Sequence, residues 1–115
     1  MLLIALSAKS TIHSVVANNS NSFVPSSLTI SLGDTVEFIN TGGFHNVNAT
    51  LSTFPNNPQG FGNVVSSSNW SLQHIFTIAG TYNYQCDPHV GMGMIGTIIV
   101  NPPSNTVYDL SLIHI

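Results

Sequence analysis

Thr81-Tyr82-Asn83-Tyr84-Gln85-Cys86-Asp87-Pro88-His89-Val90-Gly91-Met92-Gly93-Met94-Ile95-Gly96-Thr97-Ile98-Ile99-Val100 contains the single cysteine of a 115-residue chain. Tyr82, Tyr84 and Cys86 stand at i, i+2 and i+4, so on a strand they share one face. With the tyrosines packed inward, the Cys86 sulfur also points inward. Ile95–Val100 reads as a β-branched strand, closed by Pro102-Pro103, which cannot continue a ladder. Cys86 to Met94 is then a short loop between two strands, at one end of a sheet. It carries a thiolate, an imidazole and a thioether. Soft sulfur with imidazole suits copper, and two histidines, one cysteine and a weak axial methionine make the electron-transfer arrangement.

Outward from this segment the chain reads as all-β. Short apolar runs are separated by Gly, Pro, Asn and Ser clusters, the pattern of a Greek-key β-sandwich of two sheets with about seven to eight strands. Thr11–Ala17 reads as a first strand. Leu28, Ile30 and Leu32 alternate with Thr29 and Ser31, which marks a half-buried strand. Gly33-Asp34 turns into Thr35–Asn40, with Val36 and Phe38 facing inward. Gln73–Ala79 and Thr81–Cys86 read as strands around a turn at Gly80. Leu51–Asn69, rich in Asn, Pro, Gly and Ser, reads as irregular, and a loop of that length in a compact domain is usually functional or partly structured.

A second imidazole is needed to complete the donor set. His45, opening an apolar segment after Gly42-Gly43, is the best placed. His13 and His74 lie within strands without a partner motif and read as ordinary strand residues. Phe44, Phe61, Trp70 and Phe76 read as core.

Phe44-His45-Asn46-Val47, then Cys86-x-Pro88-His89-x₄-Met94 and the strand Gly96–Val100, resemble the cupredoxins, in particular plastocyanin and pseudoazurin. The turn Leu32-Gly33-Asp34-Thr35-Val36 and the lead-in Gly80-Thr81-Tyr82-x-Tyr84-x-Cys86 are similar too, and the likeness spans Thr11 to Val100. It implies one copper ion, Cu(II)/Cu(I), in a type 1 site of His45, Cys86 and His89, with Met94 axial. It also implies that Asn46 ties the two ligand-bearing loops together, while Pro88 removes an N–H near the sulfur and stiffens its loop. Asp87 departs from the small hydroxyl residue usual there, and a carboxylate close to copper favours Cu(II). Met92 is a second thioether near Met94, and the family spacing selects Met94. Pro88, Val90 and Met92 flank His89 and are expected to form an apolar collar where a redox partner docks.

Composition narrows the function classes. Charged residues make up 4% of the chain, against a hydrophobic fraction of 43%. With Lys9 as the one Lys or Arg, the chain cannot neutralise phosphates, which excludes nucleic-acid binding. No run reaches the roughly 20 apolar residues of a membrane helix. Met1–Ser10 reads as a signal-peptide remnant, with Ala8-Lys9-Ser10 like a small-x-small cleavage site. Residues 11–103 are then the cupredoxin domain and 104–109 a linker. Leu110–Ile115 matches the translation of a transposon end used in preparing sequencing libraries and is set aside, His114 included. The expected protein is a secreted, periplasmic or cell-surface monomeric domain that serves a redox protein partner. A copper module of a larger secreted or cell-surface protein, and copper delivery or storage, are the alternatives. Copper oxidases place histidines on both sides of the cysteine, where this chain has Gln85 and Asp87, so an electron carrier rather than a catalyst is expected.

Overall fold

In the computed structural model, residues 9–103 are described; the signal-peptide, linker and adaptor readings fall largely or wholly outside them. Among the described residues, nine strands form two mixed sheets. The first sheet joins β1 (Ile12–Ala17), β2 (Phe23–Val24), β4 (Thr35–Asn40) and β7 (Ser71–Ile75) in the order β2-β1-β4-β7. The second joins β3 (Ser27–Ser31), β5 (Asn48–Ala49), β6 (Phe61–Gly62), β8 (Gly80–Gln85) and β9 (Ile95–Asn101) in the order β3-β9-β8-β5-β6. Three of the nine have two residues each, too short to show a period in the sequence.

Alternation builds the core. Val36, Phe38 and Asn40 of β4 point inward, as do Tyr82 and Tyr84 of β8 and Gly96, Ile98 and Val100 of β9. Val15, Phe76 and Val47 complete an interior with almost no exposure. Burying each such side chain contributes roughly 1.5–3 kcal/mol. The rings meet edge to face, Tyr84 on Phe23 at 4.9 Å and on Phe38 at 5.2 Å, the arrangement that ring quadrupoles favour. Gly96 exists for Tyr84, since a Cβ there would overlap the phenol ring.

Two turns expected between neighbouring strands instead change sheets. Ser31 to Thr35 leaves the second sheet for the first, and Ile75 to Gly80 returns. Gln73–Ala79 therefore ends as a strand at Ile75. Its next residue, Phe76, donates its N–H to the Asp34 carbonyl and accepts from Gly33 N–H, closing that end of the sandwich. Tyr82 Oη donates to the Ile78 carbonyl at 2.7 Å and fixes this second crossing.

Phe44 is a correction. It is 55% exposed, because its neighbour His45 takes the inward position and a strand-like backbone sends adjacent side chains to opposite sides. Phe61 and Trp70 pack partly buried against the core, and Phe76 lies within it.

Candidate metal centre

β4 and β8 run to the same end of the sandwich, and their continuations bring the donors together. After β4, Asn40 holds the next loop. Its buried Nδ2 donates to the carbonyls of Gly43 and Ser68, both at 2.9 Å, and its Oδ1 accepts from Gly42 N–H. Gly43 adopts φ +105°, where a side chain is strained, and a Cβ there would stand 2.5 Å from His45 Nε2. His45 follows, fully buried. Its Nε2 lies 2.9 Å from the Asn18 carbonyl at the end of β1. A carbonyl only accepts, so Nε2 is the donor, and the neutral ring with its proton there turns the Nδ1 lone pair toward the Cys86 sulfur. Trp70 Nε1 donates to the His45 carbonyl at 3.1 Å.

After β8 comes Cys86, fully buried, whose N–H donates to the Met94 carbonyl at 3.0 Å. A 3₁₀ helix over Asp87–Met92 follows, with Pro88 in its first turn and Gly93 (φ 87°) ending it. Proline suits a first turn because its missing N–H would have no partner there. Met94 N–H donates back to the His89 carbonyl at 3.2 Å, so the loop closes on itself with Met94 fully buried.

The Cys86 sulfur lies 3.6 Å from Nδ1 of His45 and 3.6 Å from Nδ1 of His89. The three donor atoms fall within 4.8 Å of one another, and no other such cluster of three or more ligating groups occurs among the described residues. Bonds of about 2.0–2.3 Å from sulfur and imidazole to a single ion span separations of this size. The donor set therefore fits one metal ion. Burial pushes the Cys86 thiol up; the backbone N–H groups of Asn46 and His89 oppose this, and the charge of Asp87 adds to it. A thiol held protonated in this way loses its proton outright on coordination.

Asn46 hydrogen-bonds across the two segments. Its Oδ1 accepts from Asp87 N–H at 2.8 Å and its Nδ2 donates to Asp87 Oδ2 at 3.1 Å. Asp87 does not aim its carboxylate at the sulfur; Oδ1 accepts from Asn48 and Gln85, both at 2.9 Å. The Asn48 amide foremost, with those of Gln85 and Asn46, holds this carboxyl below the usual carboxylate range despite some desolvation. Pro88, Val90 and Met92 are exposed around half-buried His89.

The other two histidines among the described residues stay apart. His13 lies 2.9 Å from Asp34 at the far end, and His74 stacks on Phe61 with centroids 4.2 Å apart. Sequence reasoning missed Asn18, Asn40, Asn48, Gln85 and Trp70. Asn18 and Trp70 act on or through main-chain carbonyls, which leave no mark in a sequence. The amides are inconspicuous in a chain rich in Asn.

A buried thiol and two imidazoles gathered at one end of a two-sheet Greek-key sandwich define a small cupredoxin-type metal protein. Residues 10–101 match the model of copper-binding proteins of the plastocyanin/azurin family, and the chain belongs to that family. It is 34% identical over 106 residues to chloroplastic plastocyanin of Chlamydomonas reinhardtii, covering 86% of this chain and 72% of that protein. The crystal structure of native pseudoazurin from Hyphomicrobium denitrificans superposes with TM-score 0.66 at 26% identity, over 82% of this chain and 78% of that one. The fold also occurs in enzymes. A copper-containing nitrite reductase from Thermus scotoductus matches 85% of this chain but only 24% of its own length, at TM-score 0.68 and 27% identity. His45, Cys86 and His89 thus form a potential site for one metal ion, with Met94 buried at the end of the same loop.

Proposed function

We propose that this chain carries single electrons between protein partners, with one copper ion held by His45, Cys86 and His89 and weakly by Met94. Bound copper supplies the one-electron Cu(II)/Cu(I) couple. The observation carrying the reading is the buried convergence of one sulfur and two ring nitrogens, 3.6 Å from sulfur to each nitrogen. His45 is held from behind by the Asn18 carbonyl, an outer contact of the kind that fixes ring orientation and tautomer. Cys86 is braced between Met94 and β8. A braced cup resists rearrangement, so neither oxidation state gains its own geometry. Pro88, Val90 and Met92 make the docking surface, where a partner reaches the edge of His89 without charge pairing.

The chain acts as a carrier and not as a catalyst, because the residues on either side of Cys86, Gln85 and Asp87, are engaged with each other and with Asn48. They leave no imidazole to relay electrons inward to a further cluster. No helix among the described residues is long and apolar enough to cross a membrane. A monomer working outside the cytoplasm, in a periplasm or at a cell surface, fits the single buried cysteine and the family. Apo-protein given one equivalent of Cu(II) is expected to turn intensely blue, and Cys86→Ser to stay colourless. Colour surviving in Cys86→Ser refutes the site. Met94→Leu keeps the colour and shifts the potential; a larger shift in Met92→Leu transfers the axial role to Met92.

A further inference from the structure

β5 and β8 are paired through a single residue couple, Asn48 opposite Gln85. Yet His45 and Cys86, which must converge, sit close beyond that pair on either side. One ladder pair is a weak join for a site that depends on it. Asp87 supplies what the ladder lacks. Its Oδ1 accepts from Asn48 Nδ2 and Gln85 Nε2, its Oδ2 accepts from Asn46 Nδ2, and its N–H donates to Asn46 Oδ1. Asn48 also donates to Thr53 Oγ1 at 3.0 Å, which draws the start of the long loop into the same network.

Three side-chain donors converge on this one group, and only a carboxylate offers acceptors in both directions without a donor of its own. An amide at position 87 would satisfy Asn48 and Gln85 with its oxygen but turn its NH₂ toward Asn46 Nδ2. Asn46 cannot flip in response, because its oxygen already accepts from the Asp87 main chain. A hydroxyl would be too short to meet all three. Hydrogen bonds to an ionised acceptor are also roughly twice as strong as neutral ones.

We propose that Asp87 is the positioning residue of the metal cup: a carboxylate clasp that stands in for a longer β5–β8 ladder and keeps His45 against Cys86 whether the site is loaded or empty. This rests on the copper reading above, and the experiment separates the two. Asp87→Asn is compared in the full chain with the double variant Asn46→Asp/Asp87→Asn. In the double variant the carboxylate at position 46 accepts from both the side chain and the main chain at position 87, and net charge matches wild type, although the hydrogen bond from Asn46 Nδ2 to the Asn63 carbonyl at 3.2 Å is lost. The single variant is expected to bind Cu(II) about 10–100-fold more weakly. It should also exchange the residue 87 amide hydrogen faster in the apo-protein, and the double variant should recover the slow exchange and part of the affinity. Wild-type binding and exchange in Asp87→Asn, or no recovery in a folded double variant, overturns the clasp. Should Asp87→Asn not fold, Gln85→Ala removes one donor from the outer side. It is expected to bind about two- to tenfold more weakly, and unchanged binding and exchange would again count against the clasp. Wild-type chain that takes up Cu(II) without turning blue defeats the copper reading, while the exchange contrast in apo-protein still reports on Asp87.

Discussion

The two ends of the sandwich solve the same problem with different materials. At the metal end, amides do the joining: Asn40 holds the adjacent Gly42–Gly43 loop, and Asn46 and Asn48 reach Asp87 across 41 and 39 residues. At the opposite end a single carboxylate, Asp34, gathers neighbours along the turn and β1. Its oxygens accept from Thr11 N–H at 3.0 Å and Ser31 N–H at 3.1 Å and lie 2.9 Å from His13 Nε2. That end is complete without a ligand. The metal end leaves two imidazole nitrogens facing only a sulfur. Regions that fold for their own sake satisfy nearly all their buried donors and acceptors, whereas a binding region can leave some free for a ligand.

The contrast is open to direct attack. The largest effect is expected from Gly43→Ala, which strains a left-handed backbone and drives a Cβ against the His45 ring. Copper affinity should fall about 100-fold, read by competition with a chelator. Equal affinity would mean the cup is less tightly built than its packing indicates. Asp34→Ala should do the reverse: it leaves buried donors unpartnered, lowering unfolding free energy in urea by about 1–3 kcal/mol. Copper affinity should stay unchanged, and a matching loss of affinity would show that the two ends are coupled.

Acid sharpens the same contrast. Burial pushes the Asp34 carboxyl up, but the hydrogen bonds from His13, Ser31 and Thr11 and the His13 charge outweigh it, so its pKa falls below 3.8. A lowered folded-state pKa contributes stability that is fully present above the unfolded value of about 3.9 and is lost as pH falls through the folded one. Apo-protein should therefore lose stability below about pH 4. Asp34→Asn should show a shallower decline in chemical denaturation over that range, and an identical slope would remove Asp34 from the account. The smallest effect belongs between the two ends. Tyr84 Oη is the one buried side-chain N or O without a hydrogen-bond partner among the described residues, and burial pushes its pKa well above the usual phenol range. Tyr84→Phe should raise the unfolding free energy by about 1 kcal/mol; a loss would reveal an unseen partner for the hydroxyl.

Much of this was legible in the chain itself. The i, i+2, i+4 placement of Tyr82, Tyr84 and Cys86 determined that the sulfur faces the core, because strand side chains alternate regardless of context. The spacing of Cys86, His89 and Met94 likewise determined that three donors share one loop, since a short loop cannot separate them. Tertiary structure alone decided the rest. That Ser31–Thr35 and Ile75–Gly80 switch sheets depends on which strands find which partners, a choice made by the whole core and not by any turn. The direction of the Asp87 carboxylate and the Asn18 carbonyl behind His45 were equally unreadable. Each is a relation between segments distant in sequence, and local pattern records which atoms a residue carries but not which atoms it will meet.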